Sequence, residues 1–153
     1  MRKKLLIVAE SYRRAKEPTE PIPAIERYNG VFFRVIRSLE RKGKLRGIDV
    51  IIISTTFGVL NIHSKIPYYE PKKGPWGFIS KEGDFQPKRN QILRKLKSIL
   101  RKRKYEEIYV NLGRGYSELV KGFEGFADAQ ITHAVGSGLI PKASHMKSWI
   151  LSH

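Results

Sequence analysis

The chain has 153 residues, no cysteine, and 30 Lys and Arg against 14 Asp and Glu, a formal charge of +16. The missing cysteine excludes disulfides, thiolate metal sites and cysteine nucleophiles, and a hydrophobic content of 41% argues against intrinsic disorder. Self-repulsion this large is relieved by a polyanion or a phosphorylated ligand, so the charge predicts such a partner.

At the start of the chain, Met1-Arg-Lys-Lys precedes the apolar run Leu5–Ala9, as in a signal peptide, but Glu10 ends that run after five residues. A signal peptide needs ~7–15 apolar residues, and no other stretch approaches the ~18–20 of a membrane span. These features predict a soluble, cytoplasmic protein with no membrane association. Much Lys and Arg with no Cys also suits a thermophile.

Lys4–Ala9 reads as the first buried strand. An amphipathic helix follows, with Tyr28, Phe32, Val35, Ile36 and Leu39 on one face and Arg34, Arg37, Arg41 and Lys42 on the other. Asn29 is a candidate cap for it and Gly43 a candidate stop. Ile48–Ser54 is the second strand, continuous and rich in branched residues, as expected between two helical layers. Residues 61–86 form an irregular, lid-like loop holding Pro67, Pro71, Gly74, Pro75, Gly77 and Gly83. From about Pro87 to Lys104 runs a second helix, with Ile92, Leu93, Leu96, Ile99 and Leu100 in one stripe. Glu107–Leu112 and Gln130–Val135 complete the strands, and short helices fit Tyr116–Phe123 and Pro141–Leu151. Strands alternating with helices predict a single α/β domain over residues 1–153. Its sheet would be mainly parallel, four- to five-stranded and flanked by helices on both faces.

In an open parallel sheet, ligands bind beyond the carboxyl ends of the strands. Four segments would share that rim: Glu10–Lys16, Thr55–Gly58, Gly113–Tyr116 and Gly136–Pro141. Arg13, Arg14, Lys16 and Arg114 make it positive. Gly136-Ser137-Gly138 before Pro141 reads either as a phosphate cradle at a helix start or as a plain strand-to-helix turn. Ser54 and Thr55 either offer hydroxyls to a ligand or cap the turn that follows. Glu10 is either a general base or a partner of Arg13.

A second candidate surface is basic. Lys88, Arg94, Lys95, Arg101 and Lys102 fall on the outer face of the 87–104 helix, which is either a polyanion contact or simply its solvated side. The loop 67–78 interleaves aromatic and basic residues, as single-strand stacking surfaces do, and Trp76 is its best stacking candidate. Tyr68, Tyr69, Trp76 and Phe78 are equally suited to pinning that loop to the core. The four histidines lack metal-ligand spacing, and His133 sits in a strand pattern that suits packing. No metal and no cofactor is expected.

Several of these segments, in order, resemble a family of small α/β domains related to the bacterial peroxide-stress protein YaaA. Arg27-Tyr-Asn-Gly-Val-Phe-Phe-Arg34 resembles its "LYxGxxFRK" helix start, and Ile53-Ser-Thr-Thr-Phe-Gly-Val-Leu60 its "ILSAKYGLL" strand and turn. Ile66-Pro-Tyr68 is similar to "IxPYD", Gly113-Arg-Gly-Tyr116 to "AGxxYxxPL", and residues 135–150 to the closing "LxGLGIGxxxxWL" segment. The chain departs where the family has a Cys and Lys after the first strand, here Ala9-Glu10-Ser11-Tyr12-Arg13, and where it has Ala-Lys, here Thr55-Thr56. The resemblance implies a tie to nucleic-acid protection, nucleobase modification or DNA binding.

These readings predict a nucleotide- or nucleobase-binding domain, acting on or holding its ligand at the carboxyl edge through Ser11, Arg13, Tyr28, Arg34, Ser54, Thr55, Arg114, Tyr116, Gly136, Ser137 and Gly138. The alternative is a non-catalytic DNA- or RNA-binding module built on the basic helix and the aromatic loop.

Overall fold

The computed structural model describes residues 3–71 and 85–152. Seven strands and five α-helices follow in the order β1 (Lys3–Ala9), β2 (Ile22–Pro23), α1 (Ala24–Arg27), α2 (Val31–Arg41), β3 (Ile48–Ser54), β4 (Gly58–Asn61), β5 (Lys65–Ile66), α3 (Phe85–Lys102), β6 (Tyr105–Asn111), α4 (Arg114–Val120), β7 (Gln130–His133) and α5 (Leu139–Leu151). A short 3-10 turn at Phe123–Phe126 follows α4. The main sheet has five strands in the order β4-β3-β1-β6-β7. Here β1, β3, β6 and β7 run parallel, and β4 returns antiparallel beside β3.

The middle residues of the central strands are apolar and buried on both faces. Even-numbered Leu6, Val8, Val50 and Ile52 join Tyr109 in one cluster with Phe33, Ile36 and Leu39 of α2 and Met146, Trp149 and Ile150 of α5. Odd-numbered Leu5, Ile7, Ile51 and Ile53 join Ile108 and Val110 in a second cluster with Ile92 and Leu96 of α3 and Leu119 and Val120 of α4. Alternation of period two thus distributes one strand's side chains between two cores.

Some local expectations are corrected. The turn after β3 closes a hairpin, pairing Ser54 with Gly58, which takes φ +81°. Periodicity did not reveal β4 because only Val59 and Leu60 are apolar in it. Gly30, not Asn29, precedes the first turn of α2; the Asn29 Oδ1 instead accepts from Arg37, 2.8 Å away. Arg37 leaves the solvated face of α2, because its guanidinium donates to the carbonyls of Ile25 and Tyr28 at 2.8 and 2.7 Å. His133 is exposed, since β7 is an edge strand of the sheet.

An unforeseen brace lies beneath residues 15–20. Arg27 is fully buried, and its guanidinium donates to the carbonyls of Ala15, Pro18, Glu20 and Ile66. A buried cation is tolerable only when its donors are satisfied. Here the carbonyls do so, and they tie the segment after β1 to β5.

Candidate functional site at the carboxyl edge

Strand order places a topological switch point between β1 and β6, since the chain moves from β1 to β3 on one side and from β6 to β7 on the other. A cavity of ≈ 810 Å³ opens there. Ala9–Arg13 at the end of β1 and beyond it, and Asn111 and Gly113 at the end of β6, line its strand side, while Gly30 and α2 residues Val31–Val35, Ser38 and Leu39 line the other. The first turn of α5 closes it with Leu139 and Ile140, and Lys147 lines it two turns further along.

The wall is apolar and the rim is cationic. Val31, Phe32, Phe33, Val35, Leu39, Leu139 and Ile140 give the apolar surface; Arg13, Arg34 and Lys147 line the cavity and are exposed. The α2 N-terminus carries no side-chain cap, and Val31 and Phe32 of its first turn line the cavity. Gly30 packs directly against Ser11, where a Cβ would meet the Ser11 side chain, so the segment after β1 closes tightly on this helix start.

The lone acid of the cavity is Glu10, 7% exposed. One carboxylate oxygen accepts from the Ser54 hydroxyl at 2.9 Å and the Tyr69 phenol, and lies 3.5 Å from the Arg14 guanidinium. The other accepts from the Thr55 amide at 2.8 Å, the Thr55 hydroxyl at 2.9 Å and the Tyr116 phenol at 3.0 Å. The ion-pair partner is therefore Arg14 rather than Arg13. Arg14 also donates to the carbonyls of Ser11 and Tyr69 at 2.8 and 3.0 Å and stacks 3.9 Å from the Tyr69 ring centre. With both oxygens engaged, Glu10 is a buried anchor, not a free base.

Three phenols gather here. Burial pushes Tyr28 up to about 12. Burial, with the Glu10 carboxylate close by, also raises Tyr69 and Tyr116 well above the ordinary phenol range. All three remain protonated donors at neutral pH. Tyr28 and Tyr69 share a hydrogen bond between their hydroxyls. Tyr69 thus pins residues 67–71 to the sheet, aided by an edge-on contact with Phe57.

The predicted site residues fall into three groups. Ser11, Arg13 and Arg34 line the cavity. Tyr28, Ser54, Thr55 and Tyr116 lie behind it, around Glu10 or Tyr69, and Ser54 also caps its turn by accepting from the Thr56 and Phe57 amides at 3.1 and 3.0 Å. Arg114, Gly136, Ser137 and Gly138 are exposed on the rim, outside the cavity lining. At Gly136 the φ is +148°, and a Cβ would stand 2.7 Å from the Pro141 Cβ and 2.9 Å from the Lys142 amide nitrogen. This glycine therefore packs its own backbone onto the first turn of α5. Phe32, Asn111, Leu139, Ile140 and Lys147 were not foreseen as lining residues; the exposed apolar pair Leu139-Ile140 at a helix start was the available signal.

On the basic helix, Arg94, Lys95, Arg101 and Lys102 are exposed. Lys88 is half-buried, and its Nζ donates to the Gln91 Oε1 at 3.1 Å and to the Thr56 carbonyl at 3.4 Å. Trp76 and Phe78 lie outside the described residues.

A search of protein-family models finds no match for the chain, and no curated protein matches its sequence. Among solved structures, the crystal structure of AF0587, a protein of unknown function, is similar at 16% identity and a TM-score of 0.57. The alignment covers 97% of this chain and 44% of that one. It supports the α/β fold with its mostly parallel five-stranded sheet. Among the described residues no helix is long and apolar enough to cross a membrane.

Proposed function

We propose that the carboxyl-edge cavity binds a nucleotide, with the base against the apolar wall of Phe32, Val35, Leu139 and Ile140 and the phosphate toward Arg13, Arg34 and the α2 N-terminus. The observation that carries this reading is the combination, in one ≈ 810 Å³ cavity at the switch point, of an apolar wall with three cations. That size and lining suit a small amphipathic anion. The saturated Glu10 favours holding the ligand over acid–base chemistry on it. In this reading the two core clusters are helical layers on opposite faces of the sheet, and the ordered motif resemblance makes the chain a distant relative of the YaaA-related family.

The test is titration of the full chain with nucleoside monophosphates, the matching nucleosides and inorganic phosphate, followed by calorimetry. Binding of the nucleotide that weakens at least ~10-fold, about 1.4 kcal/mol, in Arg13→Glu/Arg34→Glu supports the proposal. Nucleotide binding unchanged by that variant, or none at millimolar concentration, contradicts it.

A further inference from the structure

The pole opposite the cavity has its own pattern. Strands β3 and β6 both start beside the start of β1, with Ile48 across from Lys4 and Tyr105 across from Lys3. The segments leading into them therefore emerge at one amino edge, on either side of β1. One brings Lys42, Lys44 and Arg46, and the other Arg101, Lys102 and Lys104; all six are exposed. Neighbouring strands are about 4.8 Å apart, so the two triplets straddle β1 with roughly 10 Å between their backbones.

Two acids of this edge, Asp49 and Glu107, are held by groups outside the triplets. Asp49 is engaged by Lys3, Arg103 and Tyr105, and Glu107 by Lys4 at 3.0 Å. No ion pair is formed by any of the six among the described residues. Helix dipoles account for only part of the pattern. Cations favour helix C-termini, which explains Arg101 and Lys102 in the last turn of α3. Lys44, Arg46 and Lys104 lie beyond the helix ends and gain nothing from a dipole.

We propose that this amino edge is a docking face for a nucleic-acid backbone, separate from the cavity and independent of the nucleotide reading. A duplex presents one negative charge per about 1.7 Å of its axis, so two rows of cations can meet several phosphates at once. Nothing at this edge reads bases, because Lys42, Lys44, Arg46 and Lys104 lie outside helices and Arg101 and Lys102 sit at a helix end, with no ribbon or helix face offered to a groove. The contact is sequence-independent. A lipid surface fits less well: four of the five exposed large apolar side chains among the described residues, Tyr12, Val135, Leu139 and Ile140, follow β1 or β7 at the opposite edge.

The experiment measures binding of the full chain to a fluorescent DNA duplex and to a hairpin RNA across a salt series. Two triple variants are compared, Lys42→Glu/Lys44→Glu/Arg46→Glu and Arg101→Glu/Lys102→Glu/Lys104→Glu, beside Arg13→Glu/Arg34→Glu. If a Glu variant melts early by circular dichroism, the corresponding Gln triple replaces it. The proposal expects wild-type binding whose log–log salt slope falls by up to about 2.7 in each triple, since each phosphate contact on a duplex contributes about 0.9. The cavity variant should bind as wild type does. Equal loss in the cavity variant, no binding at low salt, or slopes unchanged in both triples would overturn it. So would capture by phosphatidylserine vesicles that nucleic acid does not displace.

Discussion

Glu10 accepts five hydrogen bonds from four residues and pairs with Arg14, its partners lying up to 106 positions away, and this concentration makes it the residue on which the carboxyl edge depends. Replacing it by Gln removes the charge that Arg14 and the hydroxyls serve and sets an NH₂ group against hydroxyl donors. A loss of about 2–4 kcal/mol is expected, read as a lower urea midpoint with an unchanged slope. The phenol beside this cluster gives a pH signature. Tyr28 ionises near 10 when unfolded and at about 12 when folded, so the folded state holds its proton more tightly. Its contribution is complete below about pH 10 and is lost as pH rises toward about 12. Urea titrations of wild type should show stability falling through that window, and Tyr28→Phe should make the fall less steep, with Tyr69 and Tyr116, also raised on folding, carrying the rest. An equally steep fall in the variant would assign it to other groups.

At the scale of elements, the turn from β7 into α5 depends on a glycine for packing. Gly136→Ala places a methyl into the Pro141 side chain and the Lys142 amide at a φ that other residues rarely adopt. Thermal melting should show a loss of roughly 2–3 kcal/mol. Gly138→Ala, whose Cβ would enter open space, pays only for its φ of +106° and should lose less. The helices and central strands were legible because burial imposes a period on them. Thus β3 runs over Ile48–Ser54 as its run of branched apolar residues indicates, and the α3 stripe is buried at Ile92 and Leu96 and half-buried at Leu93, Ile99 and Leu100. The Glu10 cluster was not legible in the same way. Its members come from β1, the β3 turn, the 67–71 segment and α4, and no local spacing links residues brought together only by the parallel sheet. A lone acid ending an apolar strand marked the place, but not the partners. Likewise Arg37 reads as solvated from helix phase, because a helix wheel cannot show that α1 presents its carbonyls there.

Across the whole molecule, charge is segregated as well as large. The cavity edge has three cations around one neutralised acid, and the amino edge carries the two exposed triplets. Self-repulsion at a net charge of +16 should make the free protein more stable as salt screens it, with Tm rising by a few degrees from low to physiological ionic strength. A Tm that falls with salt would show that attractive pairs such as Lys4–Glu107 outweigh the repulsion. The central claim concerns the cavity, and amide chemical-shift mapping during a nucleoside monophosphate titration tests it most directly. The account predicts saturable shifts confined to residues 10–13, 30–35 and 139–147. Saturable shifts confined to 42–46 and 101–104, or no saturation anywhere, would contradict it.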